Sequence, residues 1–247
     1  MNLFLFAHQD DEYFVAPFLE QEPARARCVF LTMGDFHGTS CAVRNAESLR
    51  ALRSLGVPEE HIIFAGEKLR VPDNDLVSHL PAALALLLAE CSGARTVIAP
   101  AYEGGHPDHD AACLLGHSFA ARAGGLPVLE FSAYRAHSWL PHYYSVMQLP
   151  EDRRREGASL PRTRFSPGTF FLFRFYPSQW TTWLGLLPPL LFFYLTNGNA
   201  GIYPARQRDF RIRPHEGKLY YEYRRWSTFE RFGARTEEFR RINLTAA

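Results

Sequence analysis

The sequence predicts an α/β fold in which a Rossmann-like, mostly parallel sheet is flanked by helices. Short apolar runs alternate along the chain with longer stretches of helical character, which is the pattern of successive βαβ units with right-handed crossovers. The first run is apolar at successive positions, as expected of strands that helices cover on both faces. The chain contains no GxGxxG sequence, so a dinucleotide is not implied.

Five strands and four helices are expected over the first half of the chain. The strands are predicted at residues 2–7, 26–33, 62–65, 96–99 and 127–131. The helices are predicted at residues 13–20, at 42–55, from a cap at Asp75 to about residue 91, and from a cap at Asp108 or Asp110 to about residue 122. Gly56 is the expected C-terminal stop of the helix at 42–55.

The alternation ends near residue 132, where aromatic, proline-containing and arginine-containing segments begin. We interpret residues 1–247 as one domain with an α/β core at 1–131 and an irregular, aromatic-rich C-terminal elaboration at 132–247. Residues 151–166 are polar and charged, which is typical of a surface loop.

Residues 180–195 form a strongly apolar segment of 16 residues, interrupted by Pro188 and Pro189. It is too short for a comfortable membrane span. It can be a buried helix or hairpin that closes the core. It can also be a surface that contacts a membrane or a lipid substrate, because Trp180 and Trp183 occur at its start and arginines lie on either side.

Composition agrees with one soluble α/β domain, since 247 residues with 47% hydrophobic content suffice for a large core. The net charge of +1 divides into −7 for residues 1–150 and +8 for residues 151–247. No aromatic and basic residues interleave as in nucleic-acid-binding proteins. Four cysteines without CxxC spacing and no signal-peptide pattern predict free thiols in a cytoplasmic protein.

Two stretches carry chemistry, LFLFAHQDDE at residues 3–12 and GGHPDHD at 104–110. Each follows an apolar, strand-like run, and loops at the carboxyl ends of parallel strands are where open α/β sheets bind ligands. Either stretch alone is often a helix cap with a surface histidine, but together they favour a metal site. Two histidines and a carboxylate around an open position describe catalytic zinc sites and the non-haem iron triad.

These residues resemble a known family. AHQDDE closely resembles the AHPDDE signature of the PIG-L/LmbE family of zinc-dependent de-N-acetylases, and GHPDHD resembles its HPDH motif. Thr32 and Gly34 resemble its TxG element, and Arg44 and Glu47 its RxxE element. The resemblance covers residues 3–111, with weaker matches at 176–179 and 230–239. Gln9 stands where the family usually has proline, and we expect it to loosen the turn.

The resemblance implies a bound Zn²⁺, with Fe²⁺ as the alternative, held by His8, Asp11 and His109. Asp10 would be the general base. His106 would stabilise the oxyanion as an imidazolium or assist protonation, or would only hold its loop by hydrogen bonding.

Other residues are assigned to the substrate or to support of the site. Arg44 is implied as a substrate-binding residue, and Asp73 as a ligand of sugar hydroxyls, with the neighbouring Asp75 as an alternative. Glu12 is expected to support the site. Some family members use a tyrosine at the position of Gly104, and whether Tyr102 reaches the site instead is open.

The function implied is that of a hydrolase that removes the acetyl group from an N-acetylated amino sugar, such as a glycoconjugate containing N-acetylglucosamine. The alternatives are a metal-dependent amidase acting on another N-acyl small molecule, iron-dependent oxidation, and a non-catalytic metal- or sugar-binding protein. The expected partner is a small molecule and not a nucleic acid. A peripheral membrane contact through 180–195 is the alternative to a purely cytoplasmic protein, and the sequence does not set the oligomeric state.

Overall fold

The computed structural model describes residues 1–35, 38–136, 144–148, 162–196, 198–206 and 208–244. Nine strands lie in these ranges: β1 Asn2–Phe6, β2 Ala26–Phe30, β3 Ile62–Phe64, β4 Thr96–Pro100, β5 Val128–Phe131, β6 Tyr134–Ala136, β7 Tyr144–Val146, β8 Arg162–Arg164 and β9 Asn199–Pro204. Seven of them form one sheet in the order β3-β2-β1-β4-β5-β9-β8, while β6 and β7 pair separately.

The first five strands are parallel, which confirms the predicted mostly parallel sheet. The predicted second strand is shorter than expected and ends at Phe30. The C-terminal half of the chain adds β9 antiparallel to β5, and β8 antiparallel to β9. The loop predicted at 151–166 is therefore wrong at 162–164, because these residues form a strand. Residues 151–161 lie outside the described residues.

The helices are α1 Ala16–Gln21, α2 Cys41–Ser54, α3 Ala65–Leu69, α4 Leu76–Glu90, α5 Pro107–Arg122, α6 Pro167–Phe170, α7 Trp180–Thr196, α8 Tyr220–Tyr223 and α9 Phe229–Asn243. Ser40 caps α2 by accepting the Val43 amide. The predicted caps of α5 are wrong, because His106 is the capping residue and its ring nitrogen accepts the Asp108 amide.

Helices cover both faces of the sheet, and the alternation of side chains along β1 explains how. Leu3 and Leu5 point to one apolar cluster, which α4, α5 and α9 complete. Phe4 and Phe6 point to the opposite cluster, to which α1, α2 and α7 contribute. The four cysteines are free, as predicted.

The apolar segment at 180–195 is the helix α7, and both prolines lie inside it. One face of α7 is core, with Trp183, Leu186, Leu190 and Phe193 buried. The other face is exposed. The prediction of a buried helix therefore holds for one face of α7 and not for the other. No helix in the described ranges is long and apolar enough to cross a membrane.

Candidate metal centre and active-site pocket

The two histidine loops follow β1 and β4, which are neighbouring parallel strands. The sheet order places β2 and β3 on one side of β1, and β5 on the far side of β4. The crevice between two such strands, at their carboxyl ends, is the usual ligand site of an open α/β sheet. The topology therefore brings together residues separated by about a hundred positions in sequence.

His8, Asp11 and His109 meet in this crevice, as the sequence predicts. His109 Nε2 lies 3.0 Å from Asp11 Oδ1, and His8 Nδ1 lies 3.8 Å from Asp11 Oδ2. One ligand atom from each residue lies within 4.8 Å of the other two. Two imidazoles and one carboxylate at this spacing match the protein ligands of a catalytic zinc site that keeps a position open.

Asp108 competes with Asp11 for the same role, since His8, His106 and Asp108 also meet the distance condition. The carboxylate of Asp108, however, already accepts the amides of Asn74 at 2.6 Å and Leu76 at 3.1 Å. It also lies 3.1 Å from His8 Nε2. A carboxylate behind the distal nitrogen of a histidine orients the ring and leaves the other nitrogen for a metal. Asp108 is therefore the residue that holds His8.

The electrostatics of the cluster suit a cation. Burial lowers the pKa of His8, but the hydrogen bond that His8 donates to Asp108 and the charges of Asp73 and Asp11 outweigh burial and raise it to about 10. Burial likewise raises the pKa of Asp11, but His109 and His8 lower it below its ordinary value. A proton on His8 thus neutralises surplus negative charge, and a divalent cation can replace it. The donor set fits zinc.

Asp10 differs from its neighbour Asp11 in environment and backbone. Its φ of 109° lies in the left-handed region, which aspartate enters at moderate cost. Burial raises the pKa of Asp10 to about 7, although the charge of Arg44 lowers it. A carboxylate that titrates near neutrality is suited to general base catalysis.

Arg44 reaches the site from α2, and its side chain is only 3% exposed. It donates to the Gln9 carbonyl oxygen and lies 3.7 Å from Asp10 Oδ1. Its Nε and Nη1 atoms have no hydrogen-bond partner among the described residues. Because Arg44 also lines the pocket, it can bind an anionic or carbonyl oxygen of a substrate.

Gln9 does not loosen the first turn as expected. Its side chain is buried, and its amide donates to Asn45 Oδ1 at 2.7 Å and to the Thr32 carbonyl at 3.2 Å. The glutamine therefore ties the turn to α2 and to the end of β2. Gly34 lies beside the Gln9 side chain and has a positive φ. A Cβ at Gly34 would lie 2.2 Å from Gln9 Oε1, so this close approach requires glycine.

His106 lies against the metal candidates, with its ring 4.4 Å from the ring of His8. Burial lowers its pKa well below the ordinary value, and the nearby His8 and His109 lower it further. Its Nδ1 accepts the Asp108 amide at 3.1 Å, so the proton of the neutral ring is on Nε2. The predicted imidazolium is therefore not favoured, and His106 offers a neutral N–H donor.

The weak sequence match at 176–179 supports the site. The Tyr176 hydroxyl donates to Glu12 Oε1 at 2.7 Å, and Glu12 Oε2 accepts the Asp10 amide at 2.9 Å. Ser178 donates to Glu47 through its amide at 2.9 Å. The supporting role expected for Glu12 thus has a structural basis.

The structure separates the two aspartates considered for sugar binding. Asp73 lines the pocket and accepts the Gly34 amide at 2.9 Å. Asp75 pairs with Arg235 and accepts the Ser78 hydroxyl at 2.9 Å, outside the pocket lining. Of the two aspartates, only Asp73 lines the pocket.

The pocket beside the metal candidates has a volume of about 420 Å³. One wall is polar and charged, and the other is aromatic and apolar. The aromatic and apolar lining residues are Phe14, Tyr134, Trp183, Leu186, Tyr220 and Trp226. Most of this wall comes from the C-terminal half of the chain, where the sequence shows aromatic enrichment but no motif that identifies individual residues.

Tyr102 does not reach the site, because its hydroxyl donates to the Phe210 carbonyl at 3.2 Å and its ring packs on Phe210. Tyr134, which the sequence analysis did not consider, is a tyrosine that does lie at the site. Its ring lies 5.3 Å from that of His109, and it lines the pocket. Burial, with the charges of Asp11 and Asp10, raises the pKa of Tyr134 well above its ordinary value, so its hydroxyl keeps its proton.

A second group of metal-ligand type, Cys113, His117 and Glu130, lies on α5 and β5 away from the pocket. Glu130 Oε2 is in an ion pair with Arg208 at 2.8 Å, and its Oε1 lies 3.3 Å from His117 Nε2. Because the guanidinium already neutralises this carboxylate and opposes a second cation, we assign the group as a buried ion-pair cluster.

With this geometry established, the chain can be compared with known proteins. The PIG-L family, described as GlcNAc-PI de-N-acetylase, matches residues 3–119. Residues 3–119 therefore match the PIG-L domain, which confirms the resemblance of the motifs in this part of the chain to that family. Curated protein sequences show no match to the chain.

Solved structures share the fold over most of the chain. One is the complex of bog with a deacetylase from the biosynthesis pathway of teicoplanin. It is 16% identical to this chain, with a TM-score of 0.57, and the match covers 84% of this chain and 99% of that one. The A40926 pseudoaglycone deacetylase is 18% identical with a TM-score of 0.54, over 87% and 98%. The conserved protein TT1542 from Thermus thermophilus is 18% identical with a TM-score of 0.54, over 84% and 96%.

Proposed function

We propose that the protein is a zinc-dependent hydrolase that removes the acetyl group from an N-acetylated amino sugar in a glycoconjugate, with N-acetylglucosamine as the sugar. The observation that carries the proposal is the cluster of His8, Asp11 and His109 at a pocket that Asp10 also lines. The PIG-L description and the deacetylases of similar fold support the reaction type.

The ligands would be His8 Nδ1, an oxygen of Asp11 and His109 Nε2. When bound, zinc lowers the pKa of a coordinated water towards 7 and polarises the acyl carbonyl. Iron(II) is compatible with the same donors, and zinc is proposed because an acetyl transfer to water needs no redox chemistry.

Asp10 is the proposed base. It accepts a proton from the attacking water while the water oxygen forms a bond to the acyl carbon. The same proton then passes from Asp10 to the amide nitrogen as the carbon–nitrogen bond breaks. The products are the free amino sugar and acetic acid, which ionises to acetate. A pKa raised to about 7 by burial suits both steps, because the carboxyl group has to accept and then release a proton.

Two neutral donors are proposed to stabilise the negative charge that develops on the acyl oxygen. His106 offers its Nε2 proton, since Nδ1 accepts the Asp108 amide. Tyr134 offers its hydroxyl, and its ring, like that of His106, lies beside the His109 ring. Donors fixed in a buried site before the reaction stabilise the transition state without further reorganisation.

The rest of the pocket is proposed to recognise the sugar and its aglycone. Arg44 and Asp73 would bind polar oxygens of the sugar. Trp226 and Tyr220 lie edge to face, with ring centres 6.1 Å apart, and can contact an apolar face of the ring. Trp183 and Leu186 offer an apolar surface farther along, which favours a glycoconjugate with an apolar aglycone over the free monosaccharide.

The test is acetate release from a panel of N-acetylglucosamine, N-acetylglucosaminides with polar or apolar aglycones, and N-acyl amino acids. Metal-free protein is reloaded with Zn²⁺ or Fe²⁺ before the assay. We expect release from the glucosaminide with an apolar aglycone by the zinc form, and none by Asp10→Asn. Release only from N-acyl amino acids would instead identify another amidase, and no release with either metal would contradict a hydrolase.

A further inference from the structure

Large apolar side chains are exposed from the first turn of α7 to its last, alongside the exposed Thr181, Thr182 and Thr196. Five large apolar side chains are well exposed on this helix: Trp180 at 64%, Leu184 at 62%, Leu191 at 48%, Phe192 at 67% and Leu195 at 74%. Trp180, Leu184, Leu191 and Leu195 follow one another at intervals of four, seven and four residues, which places these four on one side of the helix. Only four other large apolar residues are comparably exposed in the described part of the chain, so α7 concentrates them into one patch.

The patch lies in a long uncharged part of the sequence. Residues 175–205 contain no Asp, Glu, Lys, Arg or His. The opposite face of α7 is anchored in the protein, because Trp183, Leu186, Leu190 and Phe193 are buried. The helix is therefore held firmly while presenting apolar side chains outward.

Positive charge lies at the edges of this surface. Arg174 is exposed six residues before α7 begins. Arg164 is exposed and pairs through its backbone with Asn199, three residues after α7 ends. Neither side chain takes part in the ion pairs found among the described residues. Arginines beside an apolar helix complement an interface with anionic headgroups, whereas a second copy would set these positive edges against each other.

The patch is continuous with the mouth of the pocket. Thr181, Thr182 and Gly185 of α7 line the pocket, while Trp180 and Leu184 on the same turns are exposed. Arg224 also lines the pocket and lies 5.0 Å above the Trp226 ring. The opening of the pocket and the apolar face of α7 therefore lie at the same side of the molecule.

We propose that the exposed face of α7 docks the protein onto the surface of a lipid bilayer that contains anionic lipid. The helix lies in the plane of the interface, with Trp180 at headgroup level and Leu184, Phe192 and Leu195 inserted below it. The contact is peripheral and places the pocket mouth against the membrane. Binding needs no turnover, so it is measured independently of the hydrolase activity.

The test uses the full chain with vesicles of phosphatidylcholine alone or mixed with phosphatidylglycerol, and sedimentation as the readout. We expect binding to the mixed vesicles. The variant Leu184→Gln/Phe192→Gln/Leu195→Gln should lose it by at least about tenfold, since each substitution removes a large apolar side chain from the interface. The matched control is Ile212→Gln/Ile242→Gln, whose residues are 65% and 53% exposed elsewhere. The control should bind within about twofold of the unaltered protein.

A second pair of variants separates headgroup attraction from apolar insertion. Arg164→Gln/Arg174→Gln should weaken binding to the mixed vesicles and leave the weaker binding to phosphatidylcholine unchanged. Single Leu195→Gln provides the apolar comparison if the triple variant does not fold. Failure of the unaltered protein to bind either vesicle overturns the proposal, as does equal binding by the triple variant. A dimer that the triple variant abolishes, without vesicle binding, would assign the face to a second copy instead.

Discussion

The Tyr176 hydroxyl donates a 2.7 Å hydrogen bond to Glu12, joining residues 164 positions apart. The other oxygen of Glu12 accepts the amide of Asp10 at 2.9 Å. The C-terminal half of the chain thus holds the carboxylate that fixes the backbone of the proposed base. Because Asp10 has a left-handed backbone conformation, its position depends on this support.

Replacing Tyr176 by Phe should therefore affect both stability and rate. It leaves a buried carboxylate without one donor, which costs roughly 1 to 3 kcal/mol of unfolding free energy. We expect kcat to fall with little change in KM and with full zinc content. Tyr13→Phe is the control, because it removes a buried hydrogen bond to the Phe170 carbonyl instead. Equal kcat values for the two variants would mean that the Tyr176 contact acts on stability alone.

Arg44→Ala is expected to raise KM and shift the pH profile while zinc stays bound. Asp10 acts as a base only when ionised, so activity falls as the pH drops through its pKa. The charge of Arg44 lowers that pKa, and its removal should move the acidic limb of kcat/KM to higher pH. Arg44→Lys should have a KM and an acidic limb between those of the unaltered protein and those of Arg44→Ala. An unchanged KM together with an unchanged acidic limb would show that Arg44 neither binds the substrate nor influences the pKa of Asp10.

Tyr134→Phe tests the donor that the sequence did not identify. It keeps the ring beside His109 and removes the hydroxyl. We expect kcat to fall by about 10²-fold, the scale for losing one oxyanion donor, with KM and zinc content nearly unchanged. Tyr102→Phe is the control, since its hydroxyl donates to the Phe210 carbonyl outside the pocket. If the control loses as much kcat as Tyr134→Phe, the loss does not come from a donor in the site.

Glu103 should make the stability of the protein depend on pH. Burial raises the pKa of this glutamate from 4.5 to about 8, with Arg135 opposing the shift. Its Oε1 accepts the Ala133 amide, and its Oε2 has no partner among the described residues. Between these two pKa values the folded chain keeps a proton that the unfolded chain has lost, so stability falls as the pH rises through this window.

Glu103→Gln removes that dependence and keeps the acceptor for Ala133. The variant should gain stability over the unaltered protein by an amount that grows from pH 5 to pH 8, on the order of a few kcal/mol. Urea unfolding at several pH values measures the difference. Glu60→Gln, an exposed position, is the control. A difference that shrinks as the pH rises would show that Glu103 is ionised in the folded protein.

The sequence predicted the parallel sheet and a metal site on the two histidine loops from local patterns, whereas the choice of His8, Asp11 and His109 came from the resemblance of the motifs to the PIG-L/LmbE family. Apolar runs define the strands, and their order brings the two carboxyl ends together. The role of Asp108 was missed, because an aspartate in the first turn of a helix has the ordinary explanation of a cap. The neutral state of His106 depends on burial and on two neighbouring imidazoles, which the sequence does not show.

The aromatic wall could not be predicted either. Tyr134, Tyr220 and Trp226 reach the pocket from β6, from α8 and from the segment after α8, and no periodicity or motif relates them. The apolar segment of α7 was predicted as a whole, but its division into a buried and an exposed face depends on what packs against it. Contacts between distant segments determined each of these features.

The strongest test of the metal assignment is the contrast between Asp10 and Asp11. Asp11 is a proposed ligand, so Asp11→Ala should lower zinc affinity and rate together. Asp10 is a proposed base, so Asp10→Asn should keep zinc while the rate falls by at least about 10²-fold. His109→Ala should resemble Asp11→Ala, and His106→Ala should keep zinc as Asp10→Asn does.

Zinc stoichiometry after dialysis and acetate release are measured for each variant. Asp108→Asn should have a zinc affinity between those of Asp10→Asn and Asp11→Ala. It removes the carboxylate that holds His8 Nε2 but no ligand, so zinc binding should weaken by about 10- to 100-fold. Loss of zinc from Asp10→Asn with retention in Asp11→Ala would reverse the two roles. Full activity in all variants would place catalysis elsewhere. An unaltered zinc affinity in Asp108→Asn would show that the His8 ring is held by its packing against His106 instead.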